Sequence, residues 1–184
     1  MAGFTVMGGD VQHLRVELGP EEAVYAEGGH LVWKSSSVSV RATTGGGLMA
    51  GLRRALTGAS FFVLELVGGP GQADLAGFAP GKIVEVDLDG SRSILAEHRS
   101  FLAMEAGVRY DAKLMGGLGF GWLGGEGGLL MAKLTGTGRV FLHAIGDAVV
   151  LDLGLGESID AEAGHVLAFE EGGWGGSRSA ASAA

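Results

Sequence analysis

The sequence predicts an all-β protein with little helix, in which three pseudo-repeated β-units pack as one domain. Three observations carry this prediction. Apolar residues alternate with period two, glycine fills 36 of 184 positions, and one strand–turn–strand pattern recurs three times along the chain.

Taken in order, Leu14, Val16 and Leu18 alternate with Arg15 and Glu17, Val38, Val40 and Ala42 alternate with Ser39 and Arg41, and Val84, Val86 and Leu88 alternate with Glu85 and Asp87. Side chains on a strand point to opposite faces in turn, so these segments are strands with one buried and one wet face. The more apolar runs Phe61 to Val67 and Arg139 to Ile145 read as strands covered on both faces or lying at an interface. All three prolines stand beside glycine or in turn-like contexts, at Gly19-Pro20, Gly69-Pro70-Gly71 and Ala79-Pro80-Gly81. Helical spacing is confined to Leu48, Leu52 and Leu56, which with Arg53 and Arg54 suit two turns.

The repeat is read without gaps. Val16 to Glu27, Val86 to Glu97 and Leu151 to Glu162 align at offsets of 70 (86 − 16) and 135 (151 − 16), and each copy ends in Ala-Glu. An apolar run follows each: Leu31-Val-Trp33, Phe101-Leu-Ala103 and Val166-Leu-Ala168. A second element precedes copies two and three, at Phe62–Leu66 with Gln72–Ala76 and at Leu130–Leu134 with Arg139–His143. Each is read as a hairpin across a glycine-rich turn, so the first copy is expected to lack its leading hairpin. One such unit cannot bury its face alone, and the copies are expected to pack together. The expected layout is a single domain over residues 1–171, with units at about 11–44, 58–112 and 124–171, followed by a disordered Gly/Ser/Ala tail at 172–184.

Composition excludes several classes of function. Thirteen Lys and Arg against 21 Asp and Glu give a net charge of −8, which argues against nucleic-acid partners, whose phosphates need cations. With no cysteine there are no thiolate metal sites, disulfides or cysteine nucleophiles. Mean hydropathy is high at +0.32, yet the longest charge-free run, Leu114 to Gly125, holds only 12 residues and five glycines, too short for a spanning helix. The opening residues lack the basic and apolar regions of a signal peptide, so the expected compartment is the cytoplasm.

Gly45-Gly-Gly-Leu, Arg53-Arg, Thr57-Gly, Phe61-Phe, Ala79-Pro-Gly-Lys-Ile, Phe101-Leu-Ala, Gly125-Glu-Gly-Gly-Leu-Leu-Met and Thr135-Gly-Thr-Gly-Arg-Val-Phe-Leu-His-Ala-Ile-Gly together resemble the altered-inheritance-of-mitochondria biogenesis family, in its bacterial and archaeal branch of unknown function. The resemblance covers about residues 10 to 171. It implies a fold similar to the subunit of the trp RNA-binding attenuation protein, a ring-like trimer, and no established enzymatic activity. Family members carry a further hairpin after the third unit, whereas this chain runs into Gly172 to Ala184. That difference implies an open sheet edge on the first unit, covered by the N-terminal strand, by a neighbouring subunit or by a partner's strand.

Candidate chemistry is sparse. Glu27-Gly-Gly-His30 and Glu162-Ala-Gly-His165 occupy equivalent positions, and His30, His165, Glu27 and Glu162 form the weak candidate set for a metal. The second copy reads Glu97-His-Arg-Ser100, which breaks that pattern. The simpler reading is a repeated turn in which Gly29 and Gly164 supply positive φ and the glutamates Glu27, Glu97 and Glu162 bond backbone amides. His143 reads as a core or interface histidine, and His13 and His98 as surface residues. Gly119-Phe-Gly-Trp-Leu-Gly124 matches a dinucleotide fingerprint but lacks the strand-to-helix context, and Gly77 to Lys82 is not a phosphate loop. Met115, Phe120, Trp122 and Leu123, among flexible glycines, are the weak candidate interaction residues for a protein or lipid surface, the simpler reading being a connector that packs internally or at the subunit interface.

No catalytic residues and no cofactor emerge. The function expected is a non-enzymatic, homotrimeric scaffold with an unidentified protein partner. The alternatives are a small-molecule or metal-binding β protein using His30 and His165, and a membrane-surface-associated organiser, the latter disfavoured by the acidic charge.

Overall fold

The structure is a computed structural model and describes residues 1–42, 63–115 and 129–172. Its strands are β1 (Gly3–Met7), β2 (His13–Leu18), β3 (Ala23–Glu27), β4 (Leu31–Lys34), β5 (Ser39–Ala42), β6 (Val63–Val67), β7 (Gly71–Leu75), β8 (Gly81–Asp89), β9 (Ile94–Glu97), β10 (Phe101–Glu105), β11 (Val108–Met115), β12 (Leu129–Ile145) and β13 (Ala168–Glu170). The helical structure among the described residues is limited to 3₁₀ turns, including Gly28–His30, His98–Ser100 and Ala163–His165. The fold is all-β in two sheets, as the period-two alternation predicts. The suggested helical turns at Leu48 to Leu56 lie outside the described residues.

The smaller sheet runs β1-β2-β7-β4, and the larger runs β13-β9-β12-β10-β3-β6-β5, with β8 and β11 also paired to β12. In β2 the side chains of Leu14, Val16 and Leu18 are buried while Glu17 faces solvent, the alternation of a one-sided strand. They join Val24, Leu66, Leu75, Leu102 and Phe141 in one core. A second core gathers Ile94, Phe101, Leu134, Val140 and Leu142, and a smaller one gathers Leu95, Met131, Val166 and Phe169. Val140 to Ala144 are buried without alternation, as expected of a strand covered on both faces. The alternation at Val38 to Ala42 fares differently. Val38 is buried, but β5 is exposed throughout, since among the described residues it ends the sheet with β6 as its one ladder neighbour.

Neither glycine-rich turn makes a hairpin. β6 pairs with β3 and β5, while β7 pairs with β2 and β4, so Gly68-Gly69-Pro70 is a corner between sheets. Thr135-Gly136-Thr137-Gly138 lies inside the single 17-residue strand β12. The N-terminal half of β12 pairs with β9 and β11, and its C-terminal half pairs with β8 and β10. Gly136 (φ 103°) and Gly138 (φ 138°) let the strand bend from one set of partners to the other without reversing. These elements therefore pair with the strands of the preceding copy. β1 pairs with the outer edge of β2, and the segment from Gly146 to Leu167 forms no regular ladder.

Candidate functional site

Glu27 ends β3 and caps the turn Gly28–His30, its Oε2 accepting from the Gly29 amide at 2.7 Å. Glu97 does the same in the second copy, where Oε2 accepts from the Arg99 amide at 3.0 Å. The glutamates of both copies thus bond backbone amides, as the turn reading expects, satisfying donors that open a 3₁₀ turn. Positive φ is not the reason for the glycines, since neither Gly29 nor Gly164 lies in that region. A Cβ at Gly29 would come within 2.8 Å of Phe78 Cζ, the outer end of an exposed ring that can move aside.

His30 is 2% exposed and its two ring nitrogens make no hydrogen bond. Its Nδ1 stands 3.7 Å from Glu27 Oε2, and its ring lies 4.4 Å from the otherwise exposed ring of Phe78. Burial, and secondly the neighbouring His143, hold the His30 pKa below its ordinary value. His143 is buried too and is lowered by desolvation. It is a core histidine, wedged so closely against Gly77 that any Cβ there would strike its ring. Burial also raises the Glu27 pKa, against the opposing bond from Gly29. Burial thus disfavours the charged forms of His30, His143 and Glu27 alike.

The other members of the candidate metal set are placed differently. His165 and Glu162 are exposed on the third copy. Among the described residues no group of three or more His, Asp or Glu side chains is arranged to hold a metal ion. His98 is half-buried, with Nδ1 3.0 Å from Glu97 Oε1 and 3.2 Å from the Leu130 carbonyl, and so is less open than a surface residue. Met115 is half-buried against the Leu95–Met131 core, while Phe120, Trp122 and Leu123 lie outside the described residues.

A second polar cluster had no signal in the sequence. Asp74, 5% exposed on β7, sits between β2 and β4. It accepts from Arg15 Nε and Nη2 and, at 3.0 Å, from the indole of Trp33, with His13 Nε2 3.4 Å away. The Arg15 bond, foremost, keeps its carboxyl below the usual carboxylate range. A lone aspartate in an apolar strand, 59 residues from its arginine, has no local signature.

Beside the third copy, Val84, Val86, Leu142, Leu151 and Leu167 line a cavity of about 380 Å³ with Arg92 among its polar residues. Arg92 is paired with Glu170, and Glu171 binds Lys133, Ser93 and Lys113, which hold its carboxyl down to about 2. These ties fix the end of β13 to β11, β12 and the segment before β9.

The sheets and these clusters define an all-β protein whose described polar groups cap turns and join strands. The chain belongs to the mitochondrial biogenesis AIM24 family, which it matches over residues 4–173. Its fold is similar to that of a crystal structure of a Streptococcus pyogenes protein determined by structural genomics, with a TM-score of 0.71 and 23% identity over 93% of this chain and 77% of that one. No curated protein matches the chain. Among the described residues no helix is long and apolar enough to cross a membrane.

Proposed function

We propose that the protein is a non-enzymatic cytoplasmic scaffold or interaction module that self-assembles as a trimer. The observation that carries this reading is the uncovered third copy. Val149 and Leu151 are 61% and 38% exposed, whereas Leu14 and Val16, which lie 135 residues earlier (149 − 14, 151 − 16), are fully buried. Apolar residues exposed together in this way mark a contact surface. Native mass spectrometry of the metal-free protein tests it: a species at three times 18.7 kDa is expected, and a monomer at micromolar concentration overturns it.

The cavity supports a second reading, binding of a small apolar molecule, since its volume falls within the usual range for ligand sites. Its lining includes neither His30 nor His165. A monomer carrying a stoichiometric organic adduct would favour this reading. A retained metal ion would instead return attention to His30, His165 and Glu27.

A further inference from the structure

β2 and β8 are equivalent strands of the first two copies, with Val16 and Val86 separated by 70 residues (86 − 16), yet they are covered unequally. β2 carries β1 on one edge and β7 on the other, whereas the nine-residue β8 has β12 as its one ladder neighbour among the described residues. The outer edge of β8 is tied down at its two ends. Gln12 donates its amide to the Gly81 carbonyl and accepts from the Ile83 amide through Oε1, and Arg92 Nη2 donates to the Asp87 carbonyl. Main-chain groups of successive residues on a strand alternate in direction, so these three bonds fix which way the rest point. The Ile83 carbonyl, both main-chain groups of Glu85 and the Asp87 amide face outward, and among the described residues they make no hydrogen bond.

The two faces of this open stretch differ in chemistry. Glu85, Asp87 and Asp89 stand exposed on one face. Val84 and Val86 point to the other, where with Leu142, Leu151 and Leu167 they line the cavity of about 380 Å³. The nearby cations are already engaged, Arg139 between Glu85 and Glu105 and Arg92 with Glu170, so the carboxylate face keeps an excess of negative charge.

We infer that the outer edge of β8 takes an extended peptide segment of another protein, in which basic residues alternate with apolar ones. The inference rests on the interaction-module reading and names the chemistry of the partner. Unpaired amides and carbonyls on an edge strand are a template for strand addition, in which main-chain bonds give affinity and alternate side chains give specificity. A residue directly opposite Glu85 or Asp87 shares its face, so Lys or Arg there makes a favourable cross-strand pair. The residues between turn toward Val84, Val86 and the cavity, which suits apolar side chains. A second β8 is a poor occupant, because a symmetric antiparallel pair centred on Glu85 sets that carboxylate against itself.

The test uses the full-length protein and a short capped peptide alternating valine and arginine. Calorimetry should show saturable binding, and hydrogen exchange at the Glu85 and Asp87 amides should slow on adding the peptide while that of β2 stays unchanged. Glu85→Lys/Asp87→Lys should weaken binding about tenfold and reverse the preference, toward a peptide alternating valine and glutamate. Asp87→Lys alone, which breaks no ion pair among the described residues, should show part of the same loss. Undiminished binding in both variants overturns the inference. So does equal binding of a peptide of the same composition with its arginines contiguous, since that is charge attraction without strand addition. N-methylation of alternate peptide amides should abolish binding for one set and spare the other, and equal effects of the two sets overturn the pairing. Native mass spectrometry separates this from self-assembly. A trimer that binds no peptide overturns the inference and leaves the assembly standing, whereas a monomer that binds it supports the inference and removes the trimer.

Discussion

Arg15 lies across Asp74 with Nε and Nη2 2.9 and 3.0 Å from the two carboxylate oxygens, a two-pronged bond between β2 and β7. The Trp33 indole adds a third donor from β4, so one buried carboxylate ties three of the four strands of the smaller sheet. Planar guanidinium and carboxylate groups match in this geometry, which makes such pairs stronger and more directional than point-charge contacts.

Replacing Asp74 with Ala leaves the Arg15 and Trp33 donors unpaired and should cost about 2 kcal/mol in urea denaturation. The Arg15→Ala/Asp74→Ala double variant should lose less than the sum of the two singles, since the second change removes a group already orphaned. The Asp74 carboxyl is held below its ordinary value, so this stability is present above the unfolded-state pKa and is lost as pH falls through the folded one.

The buried histidines predict a second acid effect with its own window. His30 and His143 have folded pKa values lowered below 6.5, so the unfolded chain takes up protons first and stability falls as pH drops through and below that value. Glu27 runs the other way, because its raised pKa lets the folded state take up a proton earlier, which offsets part of the loss nearer its ordinary value of 4.5. Thermal melts between pH 7.5 and 5.5 should show a slope that shrinks in His30→Leu; an unchanged slope would refute the assignment.

The turn cap separates two roles of one carboxyl. Glu27→Ala removes the acceptor for the Gly29 amide and should destabilise by about 1 kcal/mol, whereas Glu27→Gln keeps an acceptor while removing a desolvated charge and should be near neutral. Equal losses in the two variants would assign the stabilisation to charge instead.

Glycine in β12 is a matter of backbone shape. Gly136→Ala forces a side chain into positive φ and against the Gly107 carbonyl, and should cost about 2 kcal/mol. Gly146, at φ 80° with open space around it, should cost about half as much on the same substitution. Chemical denaturation of both variants makes the comparison.

Glu171 joins the end of β13 to β11 and β12 through Lys113 and Lys133. Glu171→Gln should speed amide hydrogen exchange at Ala168 to Glu170 and leave that of β2 unchanged, with the difference narrowing at high salt as exposed ion pairs are screened.

One-sided strands such as β2 were legible because burial on one face writes period two into the chain, as at Leu14, Val16 and Leu18. The capping role of Glu27 and Glu97 was legible because the turn recurs at the same offset. The glycine-rich segments misled for a physical reason. Glycine permits a reversal, a corner or a bend equally, and at Gly136 and Gly138 the partners available on either side selected the bend. Val40 alternates like a core residue yet stays exposed, since alternation records which face a residue occupies and not whether that face is covered.

The sequence by itself therefore determined the all-β class, because it follows from local periodicity and turn chemistry. Tertiary structure alone decided that β12 serves two sets of partners, that Asp74 meets Arg15 and Trp33, and that Val149 and Leu151 stand exposed. Each of these depends on which distant strands meet, a choice made by shared burial and ladder hydrogen bonding across many residues of chain and encoded in no single segment.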